Sequence, residues 1–289
     1  MKKVALLFMF LLFINAILHA QIELPPVSLN HIYIVLDSVT YNHLFDSAFI
    51  DQKIGDVKSR SVTTATDSWS GKYLYGKNSY IEFFSDQSYE GAVVGDCGLG
   101  FITLTSGDIW KIKKHWEPGT ADAVLADTII SMESDGKDQP WYYAIYLPSN
   151  DSVEHFATWI MENTFEELQS AGFTQEEIKN EITWQQYAER RSKKAFTKCF
   201  SHIRAIYLTL PESGYVNIEK SFTGFGLQHH EGTYFNNNFK VICSRGSNPY
   251  PTLKMIEVEL TEPLEKAMIK VSDNLSLEIE GKTAMWIFQ

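Results

Sequence analysis

Two phrases recur in this chain in the same order and at nearly the same spacing. "NHIYIVLDS" begins at Asn30 and "SHIRAIYLTL" at Ser201, and each opens an apolar, β-rich run with His-Ile. An Ile-Glu phrase follows each, "SYIEFFSD" in the first half and "KMIEVELTE" in the second. Thus 51 positions separate His31 from Glu82, and 55 separate His202 from Glu257. Self-similarity of this kind constrains a fold more than a lone motif does, because one supersecondary unit has to be built more than once.

The elements around the first pair read as strand, helix, then three strands. Alternation along "HIYIVLD" puts His31, Tyr33 and Val35 on one face and Ile32, Ile34 and Leu36 on the other. Leu44, Phe45, Ala48 and Phe49 recur at helical spacing, with Ser38 or Thr40 as N-cap. "SVTTAT" is β-rich, and "GKYLYGKNSYIEFFSD" reads as a hairpin turning at Gly-Lys-Asn. "GDCGLG" is a bulge or turn before a short strand at Phe101–Leu104; it lacks the lysine and helix of a phosphate loop. The second half again reads as strand, helix, strands, with "PESGYVNIEKSFTGFG" as the helix and a turn at "NNN".

Between the halves, "TADAVLADTII" suggests a short helix and "PWYYAIYLP" a core strand. Residues 151–198 read as long helices, N-capped by Asp151 and Thr174 and stopped at Gly172, with Thr174 and Glu177 forming a capping box. "ERRSKK" at Glu189–Lys194 reads as a solvated helix face. The expected architecture is α+β: two βαβββ modules forming a cupped mixed sheet, with a helical insertion between them. The boundaries are a leader at 1–20, a first module at 21–115, an irregular and helical insertion at 116–199, and a second module at 200–289.

Glu82 and Glu257 each sit between large apolar neighbours on a strand. A carboxylate placed so is costly unless something compensates it. His31, Glu82, His202 and Glu257 brought together would make a mixed N/O site for a divalent cation, with Zn, Fe, Ni, Co or Mn all suited. One or two open positions would remain for Lewis-acid chemistry, with Glu257 or Glu82 moving a proton as the catalytic base. The alternative is a metal-free ligand-binding or interaction module on the same scaffold, with the histidines bonded to backbone. "QHHEG" at Gln228–Gly232 reads as a polar strand edge, since adjacent histidines on a strand point to opposite faces.

These phrases resemble the vicinal oxygen chelate superfamily, which includes glyoxalase I, fosfomycin-resistance proteins, methylmalonyl-CoA epimerase, extradiol dioxygenases and bleomycin-binding proteins. "NHIYIVLDS", "KNSYIEFFSD" and "GDCGLGFITL" carry the resemblance over about 29–115, and "SHIRAIYLTL" and "LKMIEVELTE" extend it more loosely over 200–289. It implies paired βαβββ modules cupped around one site, a first-strand His and a late-strand Glu as metal ligands, and lyase, isomerase or dioxygenase chemistry on a small molecule. The whole chain also resembles an uncharacterised group of secreted bacterial glyoxalase-like proteins.

The other features narrow the setting. "MKKVALLFMFLLFINAILHAQ" has the lysines, apolar run and small Ala20 of a cleaved secretory signal, so an exported, periplasmic or extracellular protein starting at Gln21 is expected. The formal charge is −11, and loss of Lys2 and Lys3 with the leader makes it −13. Such a balance argues against nucleic acid or an anionic membrane surface as partner, while the resemblance implies a small-molecule ligand. Cys97, Cys199 and Cys243 fit no zinc spacing and read as ordinary buried thiols. Neither GxSxG nor HExxH occurs, which removes the familiar hydrolase signatures.

Overall fold

The computed structural model describes residues 24–116, 125–132, 138–146 and 155–289. The expected leader and the expected N-cap Asp151 lie outside the described residues. The first strand, β1 (Val27–Leu36), is followed by a helix, α1 (Ser38–His43), and a π-helical turn at Ile50–Ile54. Asp37, not Ser38 or Thr40, caps α1, its carboxylate accepting from the Thr40 amide at 2.9 Å. Then come β2 (Asp56–Thr63), β3 (Ser68–Tyr75) and β4 (Tyr80–Ser85), in the spatial order β2-β3-β4-β1, with β4 parallel to β1. This is the expected first βαβββ unit, and Ile32, Ile34 and Leu36 face its buried core as the alternation required.

The chain then repeats the unit at once. β5 (Cys97–Thr103), α2 (Asp108–Trp116), β6 (Leu125–Met132), β7 (Asp138–Tyr146) and β8 (Phe156–Asn163) take the order β5-β8-β7-β6, with β8 parallel to β5. β5 pairs antiparallel with β1, so the two first strands lie side by side and one eight-stranded mixed sheet results. The sheet curls until β2 and β6 approach each other. The α+β class and a cupped mixed sheet of two βαβββ modules therefore hold, but the cup's second module comes from the residues directly after the first and not from 200–289, and no helical insertion separates the two.

Several local expectations are corrected by this arrangement. Within "TADAVLADTII", Leu125–Met132 is strand, and residues 117–124 lie outside the described residues. The long helix expected over "DSVEHFATWIMEN" gives way to β8. Phe156 and Ile160 satisfy an i, i+4 pattern, but Ala157, Trp159 and Met161 alternate with them onto the cup face, and pairing with β5 and β7 decides the outcome. Three short helices follow: α3 (Phe165–Ser170), α4 (Gln175–Ile178) and α5 (Trp184–Ser192). The Thr174/Glu177 capping box is present at α4, and a second one, Thr183 with Gln186, starts α5. "GDCGLG" is a turn only at Gly95 and Asp96, since Gly98 and Gly100 lie within β5.

A third βαβββ unit, β9 (Phe200–Leu210), α6 (Glu212–Gly224), β10 (Gln228–His230), β11 (Thr233–Phe235) and β12 (Lys240–Arg245), forms a second sheet ordered β10-β11-β12-β9. The long hairpin of β13 (Thr252–Lys270) and β14 (Leu275–Phe288) extends that sheet on the far side of β9. "KMIEVELTE" is thus not the counterpart of "SYIEFFSD"; that place, parallel to the first strand, belongs to β12. The two sheets share one core on the side of the first sheet away from the cup. Phe83 meets Trp286 at 5.4 Å between ring centroids, and Phe101 meets Phe225 at 5.0 Å.

Glu162 ties the second unit together. It is 4% exposed, and its carboxylate accepts from Thr103 Oγ1 (2.7 Å), the Gly107 amide (2.7 Å) and the Ile109 amide (3.0 Å). It joins β8 to β5 and supplies partners for amides at the start of α2. Glu162→Ala strands these donors and should destabilise the protein by roughly 2–4 kcal/mol. Glu162→Gln, which keeps an acceptor oxygen, should cost less, and urea denaturation midpoints measure both.

Candidate ligand-binding cup

The concave face of the first sheet encloses a cavity of about 1190 Å³. Its floor follows from strand register. One cross-strand row runs Lys58, Tyr73, Glu82, Tyr33, Gly98, Ala157; the next runs Asp56, Tyr75, Tyr80, His31, Gly100, Trp159. The alternating glycines of β5 are explained by what lies above them. A Cβ at Gly98 would fall onto the Tyr33 ring, and one at Gly100 onto the His31 imidazole. The strand beside β1 has to be bare on this face for both rings to lie down.

His31 is 5% exposed, stacked on Tyr80 at 4.8 Å and edge-on to Trp159 at 5.3 Å. A β-bulge between Leu29 and His31 brings the adjacent Asn30 into the same wall, and Asn30 Oδ1 lies 2.9 Å from His31 Nδ1. A carbonyl oxygen only accepts, so Nδ1 carries the proton and Nε2 keeps its lone pair. Burial without a counter-charge lowers the His31 pKa to about 3, which makes the ring neutral.

Glu82 lies at the cup floor, half-buried, reachable from the cavity yet enclosed by protein on its other sides. Desolvation pushes its pKa up to about 8, against the opposing effects of the Arg60 guanidinium and a hydrogen bond with Tyr80. The hydroxyls of Tyr33, Tyr73 and Tyr80 are shifted upward, first by burial and further by Glu82, and stay un-ionised. Arg60 donates to Tyr75 Oη at 3.1 Å. Helix α5 covers part of the cup: Trp184 stacks on Tyr80 at 4.9 Å, on a small separate core of Leu168, Phe173, Ile178 and Tyr187. Two ion pairs line the cup, Lys194 with Asp56 at 3.3 Å and Arg191 with Glu167 at 3.0 Å, and Lys58 lies over the Tyr75 ring. "ERRSKK" is therefore only partly a solvated face, since Arg191 and Lys194 reach the cup.

The four expected metal ligands are not brought together. His31 and Glu82 line the cup, whereas His202 and Glu257 belong to the second sheet and are absent from its lining. Glu257, expected as a catalytic base, instead forms an ion pair with Arg204 and accepts from Tyr207 Oη at 3.3 Å. Its burial between apolar neighbours is compensated by a cation on the next strand, a partner that sequence spacing alone did not disclose. His202 contacts Ser201 Oγ at 3.1 Å, and His229 accepts from the Gly232 amide and stacks on Tyr234. Among the described residues no three His, Cys, Asp or Glu side chains gather as a metal-holding group. One neutral imidazole and one carboxyl of raised pKa are too few ligands for a tight divalent site, so this donor set does not fit a metal.

A family profile matches residues 29–288, that is, every strand after the opening of β1. The chain belongs to DUF5829, a family of unknown function. No curated protein matches it. Among solved structures, the DUF5829 chain is similar to a xylose isomerase-like TIM barrel/4-hydroxyphenylpyruvate dioxygenase fusion protein, at 8% identity and a TM-score of 0.42, covering 78% of this chain and 34% of that one. This DUF5829 chain thus spans about a third of the length of that fusion protein.

Two outcomes check the cup's construction. Gly100→Ala should destabilise by roughly 1–3 kcal/mol through overpacking against His31, and His31→Ala in the same chain should recover part of that loss in thermal melts. Glu82 holds its proton more tightly folded than its ordinary value of 4.5 allows. Its contribution to stability is therefore full below about pH 4.5 and lost as the pH rises through about 8. Glu82→Gln should flatten the alkaline decline between those values. His31 has the opposite sign: its contribution is present above pH 6.5 and is lost toward about 3. The acid limb should therefore survive in Glu82→Gln.

Proposed function

We propose that this protein binds a small ring-containing molecule in the cup of the first sheet, as a vicinal-oxygen-chelate-type scaffold used without a metal. The observation that carries this reading is the composition of one wall: Trp159, His31, Tyr80 and Trp184 form a continuous run of ring contacts along a cavity of about 1190 Å³. A concave, mostly aromatic surface with a few fixed polar groups is the usual form of a small-molecule site. Neutral rings stack there without desolvating an unpaired charge, since His31 is uncharged and Glu82, with a pKa of about 8, is mostly protonated at neutral pH.

Single-ring compounds titrated against the purified protein should quench tryptophan fluorescence, with affinities on the order of millimolar for so few contact atoms. Ala157→Trp, which fills the floor beside Gly98, should abolish the quenching without lowering the melting temperature. Titrations that leave the fluorescence of the parent protein unchanged, or equal binding by Ala157→Trp, would overturn the reading.

A further inference from the structure

The same wall contains two buried donors that find no partner among the described residues. Asn30 is 1% exposed, and neither its Nδ2 nor the buried Trp184 Nε1 has a hydrogen-bond acceptor there. Both residues line the cup. They flank the stack in which Tyr80 contacts His31 at 4.8 Å and Trp184 at 4.9 Å, with Asn30 bonded to His31. A buried donor left unmade is expensive, and native proteins rarely keep one, let alone two in one cavity wall.

The local construction favours Asn30 as a positioned group. It is set apart from the β1–β5 ladder by the bulge, a device that re-aims side chains beside functional sites. Its carbonyl oxygen is occupied by His31 Nδ1, so the amide cannot swing away without releasing the imidazole, and only its N–H groups are offered. Trp184 is likewise held, its ring stacked on Tyr80 and packed against Tyr187 at 5.7 Å. The wall therefore presents hydrogen-bond donors, the His31 Nε2 lone pair and flat rings. The wall groups Asn30, His31, Tyr80 and Trp184 are all neutral; of the cup's cations, Arg191 is paired with Glu167 and Lys194 with Asp56, while Arg60 and Lys58 sit at Tyr75, on its hydroxyl and over its ring.

We propose that this wall is a subsite for a neutral planar ring carrying a carbonyl group, an aromatic amide or lactam, whose oxygen accepts from Asn30 Nδ2, with Trp184 bounding the far end of the stack. This deepens the cup reading and rests on it. An anionic ring would desolvate its charge against neutral wall groups, a cationic one would meet donors already carrying hydrogen outward, and a hydrocarbon would leave the donors unmet.

The test uses four matched compounds on the full chain, followed by ligand-observed NMR: benzamide, benzoate, benzylamine and ethylbenzene. Benzamide should bind at least tenfold more tightly than the other three. Asn30→Asp keeps the acceptor for His31 Nδ1 and removes the donor to the oxygen, and should weaken benzamide about three- to tenfold at pH 7 while leaving ethylbenzene unchanged. Trp184→Phe keeps the stack and removes only the distant donor, and should leave both compounds unchanged. If all four bind alike, or if Asn30→Asp keeps the full benzamide affinity, solvent serves this donor and the proposal falls, while the cup reading stands. If none binds, both fall.

Discussion

The antiparallel pairing of β1 with β5 is the contact on which the architecture depends. It joins two βαβββ units into one sheet and places the cup at their junction. It also demands that one strand give up its side chains on the concave face. Gly98 and Gly100 make that concession, and Tyr33 and His31 cover them, so the seam is closed by rings from the neighbour rather than by side chains of its own. An aromatic ring lying over a cross-strand glycine restores the apolar cover the glycine cannot supply. The convex side of the same seam carries Ile32, Leu99 and Phe101 into the core shared with the second sheet, so one strand pair supports the site and the interior together.

Much of the first unit was legible because its signals are local. The period-2 alternation of β1 and the Tyr-Leu-Tyr hairpin each depend on residues within one element and its turn, as does the Thr174/Glu177 capping box further along. The second unit was hidden because its evidence is in pairing. β8 carries apolar residues whose spacing suits a helix, and only its place between β5 and β7 makes it a strand. The repetition was also read at the wrong interval. His-Ile at position 202 does open a βαβββ unit, but the unit completing the first cup begins at Cys97 with no histidine in its first strand.

The site shows the same division. His31 and Glu82 were found because the opening of a first strand and a late-strand carboxylate are visible in a linear reading. Glu257 looked equivalent, since a carboxylate among apolar neighbours has the same appearance whether a metal or an arginine answers it. Arg204, its partner, is 53 positions away in sequence and adjacent only through the β9–β13 ladder. The aromatic wall could have been suspected from Tyr73, Tyr75 and Tyr80 alternating with the core residues of their strands. Trp159 and Trp184 could not, because each reaches the cup from an element assigned to an insertion.

The cysteines carry a consequence of another kind. Cys97, Cys199 and Cys243 are buried and unbridged, and burial raises each thiol, Cys97 and Cys243 to about 12 and Cys199 to about 11. At neutral pH almost none of this sulfur is thiolate, the form that attacks a disulfide or an oxidant. Held buried and apart, the three sulfurs leave the fold without a cross-link, so its sheets rest on packing and pairing alone and a reductant has no bond to remove.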